Sequence, residues 1–330
     1  MKQVMINNKS KINILFTSVG RRVSLIRHFK KTLIDLGLAG GVSGIDIIDT
    51  APAFHVVDKA HKICPIDDPS YIDELIEICK KDNINLVFPL IDTDLLKLSE
   101  ARERFLKEDI QVVISDPELV RIALDKVKTH DFFVSADADT PNIIDLKTVF
   151  ETEPLYPLFI KPVNGNASKE IFKVSDKDEL LFFRDYVRDP ILQEYLTGTE
   201  YTLDLLFDFK GELRCVVPRL RIEVRAGEVC KGLVDCEQQV IDAGWKLGKE
   251  MKGARGCLNV QCFLTEDGAV KFVEINPRFG GGVPLSIQAG ADFPKWIIEM
   301  ALGHDPGDIS RAFRNNVLML RYDDAVFIEG

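Results

Sequence analysis

The chain has 330 residues, 46% of them hydrophobic and 28% charged, an ordinary globular composition long enough for two or three domains. A net charge of −10 works against nucleic acid as a main partner, since a phosphate backbone needs a basic surface to meet it. No apolar run reaches the roughly 18 residues of a membrane span, and residues 1–11 lack a signal peptide's apolar core. Seven cysteines without a Cys-x-x-Cys pair suit reduced thiols, and five scattered histidines lack zinc-ligand spacing. The expectation is a soluble cytoplasmic protein with no membrane partner.

Residues 12–115 alternate strand and helix. Strands are predicted at 12–17, 42–48, 85–90 and 111–115. A helix over 22–36 carries Leu25, Ile26, Phe29, Leu33 and Leu36 at helical spacing. Ser70 reads as the cap of a second, with Asp73 three residues on and an apolar stripe of Ile72, Leu75, Ile76 and Cys79; a third helix covers 92–106. This alternation implies an open parallel sheet covered on both faces. The first turn, Thr17-Ser18-Val19-Gly20-Arg21-Arg22, has one glycine where a dinucleotide fingerprint needs three, and no Walker-type sequence occurs. These residues therefore read as a substrate-side or scaffolding unit. Arg21 and Arg22, at a helix start, are either solvated surface or a receptor for an anion.

From residue 116 the pattern changes. Helices at 117–124 and 125–137 lead to a strand at 155–162, a small-residue turn at 163–168, a strand at 171–174 and a helix at 179–187. Strands at 191–195, 201–209 and 212–219 follow, the last two joined by a turn at 208–211. A long helix over 234–251, antiparallel strands at 257–264 and 270–276, and helices at 284–289 and 294–302 come next. Strands at 317–321 and 325–328 complete a mainly antiparallel α+β arrangement.

The chemistry gathers on the strand Lys271-Phe272-Val273-Glu274-Ile275-Asn276 and the glycine-rich turn after it. Strand alternation puts Glu274, Asn276 and Arg278 on one face, with Val273 and Ile275 on the other. A carboxylate beside a carboxamide oxygen suits Mg²⁺, and an arginine fork suits a phosphate oxygen. Upstream, Lys161 ends a buried strand, and 164–168 are all small, so backbone N–H groups can approach oxygens closely. Gln193-Glu194-Tyr195-Leu196 ends another strand, where backbone groups can meet an adenine edge; Glu200 could hold ribose hydroxyls and Gln261 offers a further oxygen. Taken singly, each has a plain reading as a strand end, turn, exposed charge or half-buried amide. Arg219, Arg221 and Arg225 read as one face of a strand, either solvated or a clamp for a substrate carboxylate.

In this order the set resembles the ATP-grasp superfamily over roughly residues 116–330, most nearly proteins similar to the ATP-binding half of the carbamoyl-phosphate synthase large subunit. The resemblance implies a fold class: an α/β N-terminal open parallel sheet (1–115, Rossmann-like) followed by an α+β ATP-grasp domain (116–330). Two subdomains, 116–196 and 197–330, would clamp the nucleotide. By position it assigns Lys126, Lys161 and Ser168 to phosphate, Glu194 and Leu196 to the adenine hinge, and Glu200 to ribose. It further assigns Gln261, Glu274 and Asn276 to Mg²⁺, with Mn²⁺ as an alternative ion, and Arg278 to the γ-phosphate; Arg219 and Arg221 stand beside Arg278 as catalytic candidates. The implied activity is an ATP-dependent carboxylate–amine ligase working through an acylphosphate on small carboxylate and amine substrates, in a chain that could be a homodimer. Phosphorylation of bicarbonate or carbamate, or a non-catalytic ATP-binding module, remain as alternatives. One departure is the loop at 163–168, with a single glycine where many members have three or four.

Overall fold

In the computed structural model, which describes residues 10–151, 154–165 and 170–329, the first strands are short and buried on both faces. β1 (Ile14–Phe16), α1 (Val23–Asp35), β2 (Val42–Asp46), β3 (Lys59–Lys62), α2 (Tyr71–Asp82), β4 (Leu86–Phe88), α3 (Asp92–Leu106) and β5 (Gln111–Val112) build a parallel sheet in the order β3-β2-β1-β4-β5. Alternation along β1 sends Ile14 and Phe16 into a core with Leu25 and Phe29 of α1, and Leu15 into a second core with Leu75 of α2 and Leu98 of α3. The stripe expected on α2 is buried as read. Its cap is not. The Ser70 hydroxyl donates to Asp68 Oδ1 at 2.6 Å and bonds no helical N–H, because Asp68 lies nearer. β3 escapes a sequence reading because Lys-Ala-His-Lys has no apolar alternation; it is an exposed edge, where lysines discourage further pairing.

The next elements are α4 (Pro117–Leu124), α5 (Lys126–Ser135), β6 (Ile143–Ile144), β7 (Leu158–Pro162), β8 (Phe172–Val174), α6 (Lys177–Tyr186) and β9 (Pro190–Glu194). Asp125 caps α5, its Oδ1 accepting from Val127 N at 3.0 Å and Lys128 N at 3.1 Å. The strands form a small antiparallel sheet, β6-β9-β7-β8, over a core of Val149, Leu158, Ile160, Leu180 and Leu192. Ser168, expected against phosphate, lies outside the described residues.

A larger antiparallel sheet follows. It comprises β10 (Thr199–Phe207), β11 (Leu213–Arg225), β12 (Glu228–Val234), and, after α7 (Gln238–Glu250), β13 (Gly256–Leu264) and β14 (Val270–Asn276). After α8 (Val283–Ala289) and α9 (Phe293–Ala301), β15 (Leu318–Leu320) joins the edge in the order β14-β13-β10-β11-β12-β15. One face is apolar and packs on α7. A Cβ at Gly244 would come within 2.8 Å of Leu203 and Val216, so glycine lets the helix approach the sheet closely. α8 and α9 share a core with α1, and Phe279 meets the rings of Phe29 and Phe88 at 5.9 Å, tying the glycine-rich turn to the parallel sheet.

Two expectations fail in this sheet. β11 continues to Arg225 and β12 follows, so the helix expected from 234 starts only at Gln238; the polar residues around the hairpin turn hide β12. Residues 325–328 belong to no strand. Among the described residues no helix is long and apolar enough to cross a membrane.

Candidate active site

The polar face of the large sheet forms the floor of a cavity of about 740 Å³. In antiparallel pairing, residues directly opposite one another share a face. Glu274 stands opposite Gln261, Gln261 opposite Thr202, and Thr202 opposite Arg219. One step along, Asn276, Asn259 and Asp204 form a second row. The expected Glu274, Asn276 and Gln261 therefore converge on one surface. Among the described residues no three His, Cys, Asp or Glu side chains gather to hold a metal by themselves. One carboxylate with two carboxamides instead suits a hard cation that shares its coordination with phosphate oxygens.

Lysines approach from the small sheet and α5. Lys161, at the end of β7, is 7% exposed, and burial pulls its pKa down to about 8 against the attraction of Glu274, with Lys126 adding to the fall. Lys126 opens α5 and donates to the Gly165 carbonyl at 3.0 Å; burial lowers its pKa while Glu274 and Asp125 raise it. Two desolvated ammonium groups facing one carboxylate make a receptor for a more highly charged anion. Glu194 and Leu196 line the same cavity, with Phe159 and Ile171 nearby. The Glu194 carboxylate is held by Lys271 at 2.6 Å and accepts from Asn142 N at 3.1 Å, which fixes the end of β9 against β14. Glu200 also lines the cavity, its pKa raised by burial with Arg221 opposing.

The arginines divide. Arg219 is buried and gives a bidentate pair to Asp204, Nε to Oδ2 at 2.7 Å and Nη2 to Oδ1 at 2.8 Å, while Ser286 Oγ donates to Asp204 at 2.6 Å. Arg221 places Nε 2.8 Å from Glu200 and donates through Nη1 to Thr202 Oγ1 at 3.3 Å. Both line the cavity. Arg225 does not. Register shifts on either side of Glu223 break the alternation and turn Arg225 outward, 72% exposed and 3.8 Å from Asp323. The expected three-arginine face is a pair.

Arg278 holds a partner that the sequence did not suggest. Its Nε and Nη2 bond the two oxygens of Asp92 at 2.8 and 2.6 Å, and Nη2 also reaches Asn276 Oδ1 at 3.1 Å. Asp92 opens α3, so the parallel sheet sets the direction of this guanidinium. Arg22 likewise enters the cavity wall, with Nη1 3.0 Å from Glu228 Oε1 and a side chain only 19% exposed, so the solvated reading fails for it. The only sequence signal for either was position at a helix start, where an acidic residue or an arginine has ordinary explanations.

A family model described as the PylC-like N-terminal domain matches residues 14–113, and one described as ATP-grasp in the biosynthetic pathway with Ter operon matches residues 187–321. A carbamoyl-phosphate synthase of Methanobrevibacter smithii is 26% identical over 150 residues, 44% of this chain and 41% of that protein. The chain thus spans well under two thirds of that relative. The biotin carboxylase domain of Hydrogenobacter thermophilus 2-oxoglutarate carboxylase, solved with MgADP, ADP and bicarbonate, superposes with a TM-score of 0.73 at 17% identity, over 92% of this chain and 73% of that one. An L-amino acid ligase from Bacillus licheniformis gives 0.71 at 18% identity, over 93% and 78%. At such identities the likeness is one of fold.

Proposed function

We propose that this chain, which resembles ATP-grasp proteins and the carbamoyl-phosphate synthase large chain, is an ATP- and Mg²⁺-dependent carboxylate–amine ligase that works through an acylphosphate. The observation that carries the reading is the facing of two desolvated lysines, Lys126 and Lys161, across one cavity from the Glu274–Gln261–Asn276 oxygen face, with Arg278 at its edge. The units of the reading are residues 1–115, 116–196 and 197–330, the last two closing on the nucleotide.

Backbone groups at Glu194 and Leu196 orient the adenine, and Glu200 receives ribose hydroxyls on exchanging its contact with Arg221. Lys126 and Lys161 bind phosphate oxygens. Glu274, Gln261 and Asn276 would hold Mg²⁺, which when bound neutralises charge on those oxygens and so favours phosphoryl transfer. Arg278, aimed by Asp92, fixes the transferring group against the substrate carboxylate. A carboxylate oxygen attacks the γ-phosphorus and ADP leaves; the amine then attacks the acyl carbon and inorganic phosphate leaves.

The similarity to a carbamoyl-phosphate synthase supports a second reading, in which bicarbonate is the acid phosphorylated. ADP release measured over amino acids and small carboxylates, each with and without bicarbonate, separates the two. A ligase gives ADP release that depends on an organic acid and an amine together. Release that depends on bicarbonate alone favours the second reading.

A further inference from the structure

The cavity has a second end, assembled from segments far apart in sequence. The order of the parallel sheet reverses between β1 and β4, and the loops leaving their carboxyl ends carry Arg21 and Arg22, and Ile91, Asp92 and Thr93, into the cavity wall. Such a reversal leaves a crevice in which open α/β sheets receive ligands. α1 begins there at Val23 with no acidic residue in its first turn, so its own positive end is not neutralised locally.

Glu228 holds Arg22 at 3.0 Å through one oxygen and Arg321 at 3.0 Å through the other. Burial lowers the pKa of Arg22; Glu228 and Asp92 oppose this, while Arg278 and Arg321 lower it further, so three guanidinium groups meet two carboxylates here. Beside this cluster runs the glycine turn. A Cβ at Gly281 would stand 2.5 Å from Arg22 Nη1, and one at Gly282 would stand 2.2 Å from Arg219 Nη1. Arg219 is 1% exposed; Asp204 takes its Nε and Nη2, and Nη1 has no hydrogen-bond partner among the described residues. Nη1 lies against Gly282 itself, so glycine here lets the guanidinium close on the turn from behind and add its charge to the cavity side. Arg278 joins this end to the Glu274 and Asn276 face.

We propose that this end is an oxyanion subsite: the acid activated beside Glu274 and Asn276 carries a second anionic group, a carboxylate or a phosphate, which Arg22 receives over residues 280–282 with Arg219 behind them. The inference rests on the ligase reading and defines its substrate class as an acid with two anionic groups.

Malonate and inorganic phosphate serve as probes, titrated by calorimetry into the full chain at constant ionic strength with chloride as the control. MgADP binding is measured first, and the anions are then titrated into protein saturated with it. If MgADP does not bind, the nucleotide reading fails by itself and the titration proceeds on the ligand-free chain. The expected result is binding of at least one anion, weakened about tenfold to a hundredfold by Arg22→Gln, with MgADP affinity unchanged. Arg321 still holds Glu228 in that variant. Gly281→Ala keeps every charge but displaces the Arg22–Glu228 pair from the turn, and weakens the anion likewise. Binding of malonate alone identifies a second carboxylate, and binding of phosphate alone a phosphate ester. Equal affinity in wild type and Arg22→Gln, or binding of neither anion, overturns the proposal.

Discussion

Replacing Lys161 by methionine should stabilise the ligand-free protein while it removes nucleotide affinity. Burial lowers the Lys161 pKa from the ordinary 10.5 to about 8. That fall corresponds to about 3 kcal/mol against the charged form. The sign follows from proton counting. Between pH 8 and 10.5 the unfolded lysine holds a proton that the folded one has released, so wild-type stability rises with pH through that window. Below pH 8 the full cost of burying the charge is present. Lys161→Met, similar in length and without charge, should therefore be more stable than wild type at pH 7 by up to about 3 kcal/mol. The advantage should shrink as pH climbs past 8 and vanish above 10.5. Urea denaturation across pH 6.5–10.5 measures this, and calorimetry with MgATP measures the loss of binding. A variant that is destabilised at pH 7 while binding MgATP as wild type does would refute the reasoning.

Two further outcomes follow from other groups. Glu274→Ala should abolish Mg²⁺-dependent ATP turnover without unfolding the chain, since its partner across the ladder is Gln261 and it lies on the polar face; turnover at the wild-type rate would remove the metal assignment. Asp94 is enclosed beneath the Asp92 turn, and burial raises its pKa to about 7 against the Thr17 hydroxyl that donates to it at 2.6 Å. Its folded form keeps a proton that the unfolded form has lost, so wild-type stability should fall as pH rises from about 4 to 7. Asp94→Asn should flatten that part of the profile, and an unchanged slope in urea midpoints would contradict the assignment.

Some of this site is legible in sequence and some is not, for physical reasons. Alternation along a strand decides which residues share a face, so Glu274, Asn276 and Arg278 group together without any fold, and Lys161 follows from the end of an apolar run. The same rule misleads at Arg225, because the shifts around Glu223 arise from pairing with β12, which polar residues conceal. Asp92 lies 186 residues from Arg278, and an acid in a helix's first turn already satisfies the helix dipole. Sequence leaves Arg22 open between solvated surface and anion receptor until Glu228, on a strand not expected, comes to meet it. Local pattern reveals faces and ends; contacts between distant segments need the topology.

The central claim is that a carboxylate becomes an acylphosphate in this cavity. Once ADP release has identified an acid and amine, that acid is supplied with ¹⁸O in its carboxylate and the inorganic phosphate produced is examined by mass spectrometry. Attack by the carboxylate on the γ-phosphorus predicts one ¹⁸O atom carried into each phosphate, together with ADP. Phosphate without ¹⁸O, or release of AMP and pyrophosphate in place of ADP, would contradict the account.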